Sequence, residues 1–364
     1  MPVKSINIDI DEDKKELLTV LRKAFQSANL NFLIGSGCTY PAISPLGDIE
    51  SSVQSLFAEN KDNEAENTIF EFLKPFLTTT VELIGTPTSA EIVNSINNYR
   101  LFLDNISQIL FERKSNLLPK QATIFSTNYD LFIEKAFEEI NNSIRLYDGF
   151  NRKPSLTGLF QFSSSEFFNS LYNNGYLYSY KVQIPSINLI KLHGSLSWQI
   201  RDNEIIYSVI DAQELLKEYT TLKEKQGDIS SFNNKFSIIL PKKDKFKDTL
   251  LNQTYYDLLR LYANELDKEN TILVTEGFSF ADEHIFEITK RALKNPTLRL
   301  IIFCFKKDEL AIFKDKFESF NNVDIAYSDS AEIPFERFNI ILAKILNSKD
   351  NPFIKTQQGD NNVE

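Results

Sequence analysis

The sequence predicts an α/β protein built on a doubly wound parallel sheet, and three observations carry that prediction. Toward the C-terminal end, apolar runs at 271–274, 299–304 and 323–327 alternate with amphipathic stretches at 282–293, 308–320 and 333–346. Such alternation feeds parallel strands through crossover helices. Toward the N-terminal end, the apolar run at 31–34 opens into Gly35, Ser36, Gly37, Cys38 and Thr39. Small residues after a buried strand leave amides bare, so that a phosphate approaches without meeting a Cβ. Finally, polar residues follow several apolar runs: Asn128 and Asp130, His193 and Gly194, Gly277 and Ser279. In a parallel sheet these ends open on one edge, where open α/β sheets bind ligands.

Taken in order, residues 11–29 read as a helix. Asp11, Glu12 and Asp13 supply first-turn acids, and Leu17, Leu18, Leu21 and Phe25 share a face. The strand at 31–34 follows. Its glycine loop lacks the third glycine of a full dinucleotide fingerprint, and Tyr40 and Pro41 interrupt any helix, so the loop equally suits an ordinary turn. From 50 to 118 three helical stripes appear: Val53, Leu56 and Phe57; Ile69, Phe70, Phe72, Leu73 and Phe76; and, after Ser89, Ile92, Ile96, Leu101, Leu103, Ile106 and Leu110. The acidic, Asn-rich 59–67 reads as a loop between the first two. A strand at 122–126 and a helix at 131–140 resume the sheet. Residues 141–185 read as loops and hairpins, 187–192 as a strand, and 210–265 as helical and connecting chain with a strand at 237–240. This divides the chain into a nucleotide-binding domain (1–50 and 119–347), a helical insertion (51–118), an irregular and helical connecting module (141–185 and 205–265), and a polar, disordered tail (348–364).

Composition narrows the function. The chain has 364 residues, 42% hydrophobic and 25% charged, which is ample for a large core. The formal net charge of −10 argues against direct nucleic-acid binding, which needs clustered Lys and Arg; the lysine-rich 242–247 reads as solvated surface. Cys38 and Cys304 are the only cysteines, far apart, so neither a disulfide framework nor a structural zinc site is expected, and no metal. The N-terminal stretch has no apolar core segment and no run approaches the ~18 apolar residues of a membrane span. The expectation is a cytoplasmic protein with no membrane contact.

Among the strand-end residues, Asn128 offers an amide that holds a hydroxyl or orients a water without titrating. Asp130 equally suits a cap for the helix after it. His193 follows an apolar strand directly; imidazole exchanges a proton near neutral pH, although a satisfied core histidine would look the same. The other histidine, His284, reads as a surface or packing residue.

Four motifs, in this order, resemble the sirtuin-like (SIR2) family, which has a doubly wound, Rossmann-like NAD-binding fold. GSG at 35–37 looks like the family's GAG loop, STNYD at 126–130 like its TQNID, KLHG at 191–194 like its LHG, and EGFSFADE at 276–283 like its late G-x-S-x-x-D motif. The resemblance implies that Asn128 and His193 are catalytic and that Asp130 supports the nicotinamide end. It implies that Gly35, Ser36 and Gly37 bind the phosphate side of NAD, that Thr39 also binds the cofactor, and that Gly277, Phe278, Ser279 and Asp282 bind the adenosine half. There are departures. The family's protein deacylases carry four zinc cysteines between the LHG and late-glycine motifs, and none stands there. CTYPAISPLGD replaces the GIPxFR that follows the family's glycine loop.

A zinc-less domain with a helical insertion is similar to the SIR2 domains of bacterial anti-phage systems. This resemblance implies an NAD hydrolase that releases nicotinamide and ADP-ribose, a homo-oligomer, and a HerA-like ATPase as partner. Two alternatives stand beside it: an NAD-dependent protein deacylase or ADP-ribosyltransferase, and a non-catalytic NAD or ADP-ribose sensor.

Overall fold

In the computed structural model, eight parallel strands form one sheet, and the sequences of its central strands are apolar on both faces. Runs such as NLNFLI, TILVTE and LRLIIF bury every residue or nearly so, as a sheet covered by helices on both sides requires. The structure describes residues 3–44, 49–113, 118–140, 144–152, 159–174, 181–201, 204–209, 212–225, 227–233, 235–236, 238 and 249–346. The sheet contains β1 (Lys4–Asn7), β2 (Asn29–Ile34), β3 (Gln121–Ser126), β4 (Arg145–Tyr147), β9 (Ser186–Lys191), β12 (Thr271–Glu276), β13 (Leu298–Phe303) and β14 (Val323–Tyr327). Their order is β1-β14-β13-β12-β2-β3-β9-β4, every pair parallel. A four-stranded antiparallel sheet joins β5 (Phe150–Asn151), β6 (Phe160–Phe162), β10 (Trp198–Arg201) and β11 (Glu204–Tyr207), and β7 (Leu171–Asn174) pairs with β8 (Lys181–Ile184).

The helices are α1 (Asp11–Ser27), α2 (Ile49–Ala58), α3 (Asp62–Ile84), α4 (Ala90–Glu112), α5 (Phe132–Glu139), α6 (Ala212–Lys225), α7 (Ile229–Asn233), α8 (Thr249–Asp267), α9 (Glu283–Ala292), α10 (Glu309–Phe317) and α11 (Phe335–Ala343). One face of the sheet, with Phe32, Ile124 and Val274, packs into one core with α1, α4, α5 and α11, where Phe102 meets Phe32 edge-on at 5.3 Å. The other, with Leu33, Phe125 and Leu273, packs with α8, α9 and α10, where Tyr262 meets Phe125 at 4.8 Å. The doubly wound parallel sheet expected from the sequence is therefore present.

Several elements differ from the sequence reading. The region 59–67 is not a loop: α3 starts at Asp62, because Asp62 and Glu64 favour the positive end of the helix and Ala65 already packs in the core. The segment 141–185 contributes β4 to the main sheet as well as four short strands outside it. Strand β1 also went unread, because four residues next to a charged stretch give almost no periodicity. At 237–240 only a single bridge, between Gly194 and Ile238, lies among the described residues. The lysine-rich 242–247 and the tail beyond 346 lie outside them.

Candidate functional site

Chain direction along the sheet reverses between β2 and β12. From β2 the chain moves toward β3 by way of α2 to α4, and from β12 it moves through α9 to β13 on the opposite face. The loops that leave these strands part to opposite sides and leave a crevice at the carboxyl ends, the place where open α/β sheets bind ligands.

The loops meet through glycines. A Cβ on Gly35 would stand 2.2 Å from the Gly277 carbonyl oxygen, and one on Gly37 would stand 2.8 Å from the Gly277 Cα. Gly277 itself has φ +63°, and its Cβ would lie 2.5 Å from the Cys38 amide nitrogen. The expected bare amides are largely used within the protein. Gly35 donates to the Glu276 carbonyl (3.1 Å), Gly37 to that of Gly277 (3.0 Å), Cys38 to that of Gly35 and Thr39 to that of Ser36. Packing of loop on loop accounts for the absence of side chains at these positions.

Beside them lies a pocket of about 110 Å³, lined among others by Ser36, Thr39, Asn128, Asp130, His193, Phe278 and Asp282. It is smaller than the ~300 Å³ at which whole-ligand sites begin, so it suits one end of a dinucleotide. Ile43, Ser44 and Phe76 line both this pocket and a cavity of about 560 Å³ between residues 41–44 and α3.

Asn128 is 6% exposed. Its Nδ2 donates to the Gly35 carbonyl (3.1 Å), Thr39 Oγ1 (3.1 Å) and, sharing a proton, the Tyr99 hydroxyl (3.4 Å), while its Oδ1 is buried without a partner among the described residues. Asp130 Oδ2 accepts from Thr39 Oγ1 (3.1 Å) and Oδ1 from the Phe132 amide (3.2 Å), so Asp130 both secures the entry to α5 and joins the site. Burial pushes its carboxyl up, and the Lys191 ammonium with these two donors pulls the other way. Lys191, itself buried, donates to the Asp130 carbonyl (2.5 Å) and the Asn128 carbonyl (3.4 Å) and lies 3.5 Å from Glu134. It clamps the turn that carries both residues.

His193 Nε2 stands 3.1 Å from Asp282 Oδ2, and Asp282 Oδ1 accepts from the Ile285 amide (3.0 Å) as the N-cap of α9. Asp282, expected on the adenosine side, has one carboxylate oxygen beside His193 and the other capping α9. Thr39, expected to bind the cofactor, donates its hydroxyl to Asp130 and lines the pocket. Gly35, Gly37 and Gly277 pack at the crevice without appearing in the pocket lining, and Ser279 offers its carbonyl to Lys316 (3.4 Å). His284 is exposed. Sequence reasoning missed Tyr99 and Lys191. Tyr99 sits mid-helix in α4 with no motif around it, whereas the lysine of KLHG was in view and only its burial was not.

A doubly wound parallel sheet with a polar pocket at its switch point defines an open α/β protein that takes its ligand at the carboxyl edge. The chain belongs to the SIR2-like domain family, whose model matches residues 122–324. The match includes Asn128, Asp130, His193 and the 276–283 motif and begins after the β2 glycine loop. No curated protein matches the chain. SIR2-like domains use NAD, and NAD use is the activity that membership implies. The residues fit that ligand: an unpartnered carboxamide oxygen and an imidazole–carboxylate pair line one pocket at the sheet edge.

Proposed function

We propose that the chain is an NAD hydrolase that cleaves the nicotinamide–ribose bond to give nicotinamide and ADP-ribose. The observation that carries this reading is the buried, unpartnered Oδ1 of Asn128 in one pocket with the His193–Asp282 pair. Asn128 Oδ1 accepts a hydrogen bond from the attacking water or a ribose hydroxyl, and its dipole faces the positive charge developing at the ribose carbon. His193, with Nε2 turned to Asp282, uses Nδ1 to take the water's proton. The glycosidic electron pair leaves with nicotinamide while the water oxygen bonds to the ribose carbon. Asp130 supports the nicotinamide end, Gly35, Ser36 and Gly37 form the phosphate side, and Gly277, Phe278 and Ser279 the adenosine side. Thr39 and Asp282 hold the two catalytic residues.

Within this reading the protein is an effector of bacterial anti-phage defence that acts by depleting NAD, working as a homo-oligomer with a HerA-like ATPase. The support is the resemblance in motifs together with the helical segment after β2. Purified protein, alone and with the ATPase, tests it. Wild type is expected to release nicotinamide and ADP-ribose in at least one condition, and Asn128→Ala and His193→Ala to lose at least ~100-fold. NAD binding without nicotinamide release in either condition would replace the hydrolase with the sensor.

A further inference from the structure

Tyr99 lies on α4, outside every motif, and reaches the pocket wall from behind. Its ring is fully buried, packed on Phe132 (6.0 Å) and Phe335 (4.9 Å), so the position of α4 fixes its hydroxyl. The hydrogen bonds around that hydroxyl run in one direction. Thr39 Oγ1 has a single proton, donated to Asp130 Oδ2. The 3.1 Å contact between Thr39 Oγ1 and Tyr99 is therefore donated by the tyrosine. Burial pushes the phenol up, and Tyr99 stays a donor.

The two protons of Asn128 Nδ2 are then shared among three acceptors, the Gly35 carbonyl and Thr39 Oγ1 at 3.1 Å and the Tyr99 oxygen at 3.4 Å. Everything on that side of the carboxamide accepts. A flipped amide would press Oδ1 against the Gly35 carbonyl, acceptor on acceptor, so the nitrogen is kept behind and the oxygen turned away from these partners.

We propose that Tyr99 is a positioning residue that holds the Asn128 carboxamide with its oxygen available to substrate, which makes the placement of α4 a condition of activity. This rests on the hydrolase reading, and the test separates the two. Tyr99→Phe keeps the ring and removes the hydroxyl. Turnover is expected to fall at least about 10-fold in kcat, with KM for NAD changed by no more than about 3-fold, as the loss of one oriented hydrogen bond implies. In an Asn128→Ala background the same change should alter the residual rate by less than about 2-fold, because the group it positions is gone. Thr39→Val removes the hydroxyl that accepts from both Tyr99 and Asn128 Nδ2, and should lose at least as much even if Tyr99→Phe folds poorly.

A second readout needs no turnover. In protein labelled with 15N in its asparagine side chains, the Asn128 amide signal is identified by its disappearance in Asn128→Ala. Its hydrogen exchange is expected to be at least about 10-fold faster in Tyr99→Phe. A wild type that never hydrolyses NAD overturns the hydrolase reading, and exchange then decides the role of Tyr99. Unchanged exchange, or an active wild type that Tyr99→Phe matches in kcat, overturns the proposal.

Discussion

Glu276, the last residue of β12, is 3% exposed, and its Oε2 has no hydrogen-bond partner among the described residues. Burial, reinforced by the nearby Glu309 carboxylate, pushes its carboxyl well above the ordinary range. The folded state therefore keeps a proton that the unfolded chain releases near pH 4.3. Stability is fullest below that pH and falls as pH rises toward the folded value, by at most about 1.4 kcal/mol per pH unit. Glu276→Gln removes the titration. Denaturant midpoints of the variant and wild type should separate in the variant's favour between pH 5 and pH 8 and converge near pH 4; parallel curves would show that Glu276 stays charged in the fold. Lys191 is the complementary case, a buried cation whose ammonium is held by two carbonyls and lies beside the Glu134 carboxylate.

Among the elements, β2 and β12 matter most, because their loops interlock through residues that have no side chain. An alanine at Gly35 would place its methyl carbon against backbone, which yields only if a strand end moves. Gly35→Ala is expected to cost at least about 2 kcal/mol and to weaken NAD binding. Gly85, just past α3, gives the contrast. A Cβ there meets nothing closer than 3.4 Å, and Gly85→Ala should stay within about 0.5 kcal/mol of wild type. Equal losses in chemical denaturation would show that the loop contact is not what constrains Gly35. Helix α9 has a related role: its cap residue, Asp282, is also the partner of His193, so a helix start fixes the orientation of an imidazole.

For the whole molecule, self-association is the property that would restrain such an activity. A mass measurement at micromolar concentration should give a multiple of the 42.0 kDa chain, and a strict monomer would remove the homo-oligomer. Among the described residues no helix is long and apolar enough to cross a membrane. Much of this architecture was legible in the sequence. Strands buried on both faces declare themselves as apolar runs, and a polar residue just after one reveals the edge it serves, as Asn128 and His193 do. Short or marginal strands such as β1 and β4 carry no such signature and become strands only through their neighbours. The partners of Asn128 were illegible for a related reason. Tyr99 is 29 residues away in sequence, on a helix whose stripe reads as core, and only packing brings its hydroxyl to the amide. Asp282 was in view as part of the late motif but its pairing with His193 was not, because a motif records which residues recur and not which way a cap points.

The three-glycine contact also decides where this crevice can give. With backbone pressed on backbone, the floor between the two diverging loops has no compressible layer and no rotamers to rearrange. Widening for a bulky ligand falls to the side chains of the pocket lining, and Ile43, Ser44 and Phe76 stand between the pocket and the larger cavity beside α3. The glycine contact is thus a fixed anvil, and the thin wall between pocket and cavity is carried by the chain that follows β2.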